Sequence, residues 1–195
     1  MNKLLAFLTA TFISIHTHAL ILNDVEVPET ITALNNNTQL ALKGAAIRRA
    51  YGIVKSYVGQ LYVSDTSLNA EELLASNNAR RMVYHVTSNR VSYRRFISSI
   101  NNGLPLNLTD EEIAAIRPRL ESMKSFLDVD FGEGTIVYIE WDPNDGLNHV
   151  MVNNELRGSV PGRDLNDAIL KLWIGKNPVG RDFKQEILGL STPQD

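Results

Sequence analysis

Only two histidines, His85 and His149, lie beyond the first nineteen residues, and two cannot build a three-histidine metal site. Each falls in a stretch of strand or loop character, where a histidine is more commonly a structural polar group than a general base. Asp128, Asp130 and Glu133 alternate beside a turn. The glycine and closing glutamate of a calcium-binding loop are missing there, so the acids read as a solvated loop and no metal is expected. Gly132-Glu133-Gly134 lacks the third glycine of a nucleotide fingerprint, and neither a phosphate loop nor a His-Glu-x-x-His helix occurs, so no cofactor is expected. Cysteine is absent, which removes disulfides and thiolate ligands alike. Composition and spacing alone do not single out Arg48, Lys55 or Tyr57 as a site. Taken alone, Arg48 reads as a structural arginine paired with an acid such as Glu140, and Tyr57 as a half-buried strand aromatic. Lys55 stands two residues from Tyr57, hence on the same face of a regular strand, and either adds charge beside it or carries its ammonium to solvent.

Positioning these groups falls first to strands. Gln39 to Leu42 reads as one, and Ala46 to Val63 is a β-branched and aromatic run too long for a single flat strand, punctuated by Gly52 and Gly59. Further strands fit Arg80 to Thr87, Thr135 to Trp141, and a hairpin in which Val150 to Val152 turns at Asn153-Asn154 towards Leu156 to Val160. Helices are marked differently. Asn69 can cap Ala70 to Ala75, and Val91, Phe96, Ile97 and Ile100 form one apolar face. Thr109 and Glu112 make a capping box that starts a helix reaching Phe126, with Pro118 expected to kink it. Asp164 to Ile174 and Arg181 to Leu188 each stop at a glycine suited to a left-handed helix end, Gly175 and Gly189. Strands, then helices, a hairpin and more helices imply an α+β fold.

Lys3 precedes an apolar run from Leu4 to Ile15 and the small-residue pattern Thr17-His18-Ala19, which predicts a secretory signal over residues 1–19, cut after Ala19, and a periplasmic or secreted domain over residues 20–195. An uncleaved anchor is the alternative. No later stretch approaches the roughly 20 apolar residues of a membrane-spanning helix, so stable membrane insertion is not expected once the signal is gone. Removing Lys3 with the signal takes the net charge from −3 to −4, and no basic block suggests a nucleic-acid partner.

Gly44-Ala45-Ala46-Ile47-Arg48, followed by Val54-Lys55-Ser56-Tyr57-Val58-Gly59-Gln60-Leu61-Tyr62-Val63, resembles the opening block of the chalcone isomerase-like family. Leu170-Lys171-Leu172-Trp173-Ile174-Gly175, Pro178-Val179 and Lys184 resemble its closing helix and final short helix. The resemblance runs in order from about Val25 to Gly189 and is nearest to the bacterial branch. It implies an open-faced β-sandwich: a large antiparallel sheet with helices packed on one face, and a cleft between them for a flat or elongated apolar ligand.

Arg48 falls on the arginine of the plant isomerases, but Tyr57 stands where they carry a threonine and Leu172 where the closing helix carries a hydroxyl. Tyr93 matches the middle tyrosine, while Ile100 takes the place of an asparagine, with Asn101 one position along. Most of the polar apparatus for ring closure is therefore missing. Arginine with tyrosine resembles instead the fatty-acid-binding members, where the pair holds the ligand carboxylate. A guanidinium offers a planar fork of donors and a phenol adds one more.

The resemblance thus implies a non-catalytic binding protein for a fatty acid or similar apolar carboxylate, with Arg48 and Tyr57 at the head group and Lys55 and Tyr93 as secondary contacts. Two alternatives stand beside it. One is an isomerase or lyase in which Arg48 stabilises an oxyanion and Tyr57 or Tyr93 handles a proton. The other is a structural or partner-binding module of the envelope. Trp141 and Trp173 are large enough to line an apolar cleft, although core packing is the commoner fate of such residues.

Overall fold

The computed structural model describes residues 19–35, 37–50 and 53–194. The expected signal segment, apart from Ala19, lies outside the described residues, as do Asn36 and Gly52.

The chain opens with a small hairpin, β1 (Leu20–Leu22) and β2 (Val25–Val27), joined by Asn23 and Asp24, both at positive φ. A seven-stranded antiparallel sheet follows in chain order: β3 (Thr30–Thr32), β4 (Gln39–Ala50), β5 (Val54–Val63), β6 (Arg80–Val86), β7 (Ile136–Asp142), β8 (Leu147–Val152) and β9 (Glu155–Pro161). The helices are inserted between strands or appended. They are α1 (Ala70–Ala75), α2 (Tyr93–Gly103), α3 (Asp110–Phe126), α4 (Arg163–Ile174) and α5 (Arg181–Ile187). No described helix is long and apolar enough to cross a membrane.

Side-chain alternation divides the sheet into two unlike faces. Leu61, Met82, Ile139 and Val150 stand in register across four strands and join Trp173, Ile169 and Phe96 in the main core, so this face carries the helices. On the other face the next row is Tyr62, Arg81, Glu140, His149 and Ser159. Part of that face is covered by β1 and β2, whose Leu22, Val25 and Val27 pack on Ala45, Ile47 and Val58. The architecture is the expected α+β, open-faced arrangement.

Local signals are honoured with few exceptions. Asn69 and Thr109 each form a reciprocal capping box, with Glu72 and Glu112 respectively, and Ser92 caps α2. Asn153 and Asn154 both take positive φ, as a two-residue hairpin turn requires. Strand β4 runs unbroken from Gln39 to Ala50, passing Lys43 with a register shift, where the sequence suggests a strand ending at Leu42. Gly189 is left-handed at φ 70°, but Gly175 is extended. Space rather than φ dictates the glycine at 175: a Cβ would lie 2.4 Å from the Lys171 carbonyl oxygen and 2.6 Å from Asn107 Oδ1.

Candidate functional site

Arg48 and Tyr57 face each other directly across β4 and β5. Opposed residues of antiparallel strands share a face, and Gly59 and Leu61 identify it as the one beneath the helices. Tyr57 sits among Tyr84, Trp173 and Phe183, with ring centroids 5.4, 6.4 and 5.9 Å away. Its hydroxyl accepts a 3.2 Å hydrogen bond from Trp173 Nε1, which leaves the phenolic proton available to another acceptor. The residue is half-buried, and burial pushes the pKa of its hydroxyl up to about 12. The nearby Arg48 guanidinium and the Trp173 N–H hold back part of that rise. A phenol in this state is a neutral hydrogen-bond donor throughout the physiological range.

The guanidinium of Arg48 is half-buried and donates through Nη1 to the Arg49 carbonyl. It is not paired with Glu140. That acid lies on the opposite face, where Arg81 Nε donates to it at 2.6 Å and the Leu34 amide at 2.7 Å. The structural reading of Arg48 as the partner of Glu140 is therefore overturned by the register of β6 and β7, which sets Arg81 opposite Glu140.

Beside Arg48 lies a hollow of about 200 Å³ between β4 and α5, walled by Ile47, Arg48, Arg49, Arg181, Phe183 and Glu186. Phe183 separates it from the aromatic cluster, since the same ring packs edge-on against Tyr57 and Trp173. Helix α5 can approach β4 closely because residue 44 is glycine: a Cβ there would lie 2.4 Å from the Glu186 carbonyl oxygen. Glu186 is 4% exposed. Its Oε1 accepts from the Gln194 amide at 3.4 Å, and Oε2 is closed to solvent. Burial pushes its carboxyl up and Asp182 adds to the rise, while the Gln194 amide, Arg49 and a hydrogen bond from the Ile47 backbone hold part of it back.

The other two expected site residues are placed differently. A bulge at Ser56 interrupts the alternation of β5, so that Lys55 opposes Arg49, where regular pairing would set it against Ala50, and shares the face of Arg49 and not that of Tyr57. Tyr93 begins α2, and its hydroxyl donates to the Lys124 carbonyl of α3 at 3.2 Å, so the structure does not bring it to Arg48. Near it, between α2 and α3, lies a larger hollow of about 350 Å³, lined among others by Asn101, Leu104, Arg117 and Lys124. Lys124 Nζ is already engaged there by Asn101 Oδ1 at 3.0 Å and Glu121 at 2.7 Å.

Asp142, Asp145 and His149 bring potential ligand atoms within 4.8 Å of one another where β7 turns into β8. These groups brace the turn among themselves. Asp142 accepts from Asn35 and Asn144, and the His149 nitrogens meet Ser159 Oγ at 2.8 Å and Asp145 at 2.9 Å.

Sequence reasoning missed Arg49, Arg181, Phe183 and Glu186. Three of these come from α5, whose sequence announces only a short helix, and nothing local reveals that it wraps the edge of β4.

An antiparallel seven-stranded sheet with helices on one face, and an arginine and a tyrosine opposed across its second and third strands, define the class of fold. A family profile described as chalcone isomerase-like matches residues 19–189, and the chain belongs to that family. Comparison with curated protein sequences gives no match. Among solved structures, a fatty-acid binding protein of Arabidopsis thaliana is similar with a TM-score of 0.57 at 16% identity, over 82% of this chain and 96% of that one. At that identity the likeness bears on the fold.

Proposed function

We propose that the protein is an exported, non-catalytic carrier of a fatty acid or similar apolar carboxylate, with the head group between Arg48 and Tyr57. The observation that carries this reading is their opposition across β4 and β5, with the Tyr57 oxygen occupied by Trp173 and its proton free to donate. A carboxylate there would receive the guanidinium fork and one phenolic hydrogen bond, each strengthened by the surrounding aromatic rings. The related fold of the Arabidopsis fatty-acid binding protein supports the same reading. Catalysis is the weaker interpretation, because a phenol with its pKa near 12 is poorly matched to proton transfer at neutral pH. Lys55 is a second-rank contact in this account, and Tyr93, engaged at the Lys124 carbonyl, is not one. Export rests on the leading apolar segment.

The hollow of about 200 Å³ is smaller than the roughly 300–1,000 Å³ typical of ligand pockets and Tyr57 does not line it, so neither a head group that meets both Arg48 and Tyr57 nor a tail fits without rearrangement. Tail binding therefore requires Phe183 to swing from the aromatic cluster. If it does not, the small hollow favours a second reading, in which the domain is a partner-binding module of the envelope. Lipid extraction and mass spectrometry of protein purified from its native host separates the two. Copurification of an apolar acid in stoichiometric amount is expected. Absence of any acid, together with no shift of melting temperature on adding fatty acids, would sink the carrier reading.

A further inference from the structure

Two histidines cannot supply a three-histidine site, but one histidine with two carboxylates is a full set of protein ligands for a zinc-type ion that keeps a water in its fourth position. Asp142 at the end of β7, Asp145 in the turn and His149 on β8 offer that set, with one ligand atom from each all within 4.8 Å of one another. A tetrahedral ion with bonds of about 2.0–2.2 Å holds its ligand atoms roughly 3–3.5 Å apart. His149 Nε2 and Asp145 Oδ2 are already 2.9 Å apart, and the exposed side chain of Asp145 is free to adjust.

Two features besides the spacing point to a cation. Asp142 is 4% exposed, yet among the described residues its carboxylate meets only amide groups, the Asn35 side chain and the backbone and side chain of Asn144. Buried carboxylates ordinarily face a positive charge or a metal, as Glu140 faces Arg81, and no described lysine or arginine pairs with Asp142. Those three amide donors leave the carboxylate room for one more partner. The second feature is His149 Nδ1, 2.8 Å from Ser159 Oγ, an outer partner of the kind that orients a ligating imidazole by its far nitrogen. When Nδ1–H donates to Ser159, Nε2 turns a lone pair towards the Asp145 carboxylate, and two such acceptors are held together by a proton or a metal ion.

We propose that Asp142, Asp145 and His149 bind one divalent transition-metal ion of the zinc type and so clamp the turn between β7 and β8. The imidazole nitrogen favours such an ion over calcium or magnesium, which take oxygen ligands. His149 and Ser159 stand on the sheet face opposite Arg48 and Tyr57, so the site is independent of acid binding.

The test is calorimetric titration of the untagged full chain, stripped with chelator, with zinc chloride and separately with calcium chloride. Wild type is compared with His149→Ala, Asp145→Asn and the control His85→Ala. Zinc should occupy one site per chain that the control retains and that both other variants weaken at least about tenfold. Calcium should not compete for it. Asp145 is exposed, so Asp145→Asn keeps the result readable should His149→Ala fail to fold. No zinc uptake by the wild type, uptake unchanged in Asp145→Asn, or calcium binding equal to that of zinc would each overturn the proposal.

Discussion

The Tyr57 hydroxyl has two duties that can be separated by experiment. As an acceptor it satisfies the indole N–H of Trp173, a residue only 1% exposed. Tyr57→Phe keeps the ring packing but leaves that N–H buried without a partner, so it should destabilise the fold by about 1–3 kcal/mol, measured by denaturant unfolding. As an acid it titrates alongside two other buried tyrosines. Burial pushes Tyr57 up to about 12, and Tyr62 and Tyr84 also rise well above the ordinary value of 10. The unfolded chain thus releases these protons at lower pH than the folded one. Stability from this source is complete below about pH 10 and is lost as pH climbs through 10 towards 12 and beyond. Melting temperature should accordingly hold level through the neutral range and then fall steeply above pH 10. A flat profile across that window would contradict the burial of the phenols.

At the scale of elements, the contact between β4 and α5 shapes the hollow, and Gly44 permits it. Gly44→Ala would drive a methyl into backbone oxygens of Glu186 and Ile187, at 2.4 and 2.6 Å, which cannot rotate away as a side chain would. The expected cost is about 1–3 kcal/mol, a drop of several degrees in melting temperature, with weaker acid binding as α5 lifts from the strand. Unchanged stability would mean that α5 does not sit against Gly44.

Elements whose signals are local were legible in the sequence. Asn69, Thr109 with Glu112, Asn153-Asn154 and Gly189 each carry their own hydrogen-bonding or φ requirement, and each appears where expected. Strands β1 and β2 were not legible. They have three residues apiece, and their order comes from Leu22, Val25 and Val27 packing on strands distant in sequence. The site divides in the same way. Arg48 and Tyr57 were found through the ordered resemblance of their blocks, but the displacement of Lys55 depends on a bulge, and Glu186 depends on where α5 docks. Neither register nor docking is written in residue spacing alone.

For the molecule as a whole, the carrier reading implies that the core is tight without ligand and must yield to admit one. Trp173, Tyr84, Tyr57 and Phe183 pack on one another at centroid distances of 4.6–6.4 Å, with Phe183 at the boundary of the hollow. A ligand that binds only the folded state raises its stability by mass action, by about 2.7 kcal/mol at a hundred times its Kd. For a domain of this size that is a rise of roughly 5–10 °C. Differential scanning calorimetry with saturating dodecanoic acid should display it, and no displacement of the transition at that concentration would favour the partner-binding reading.

The most direct measurement sets head-group chemistry against tail burial at a single residue. Affinities of dodecanoic acid and dodecanol are measured for the wild type and for Arg48→Ala. A guanidinium that meets a carboxylate contributes about 1.5–3 kcal/mol, so the acid should lose at least about tenfold in the variant while the alcohol changes little. Equal losses for the two compounds, or no loss for either, would contradict a head group held at Arg48.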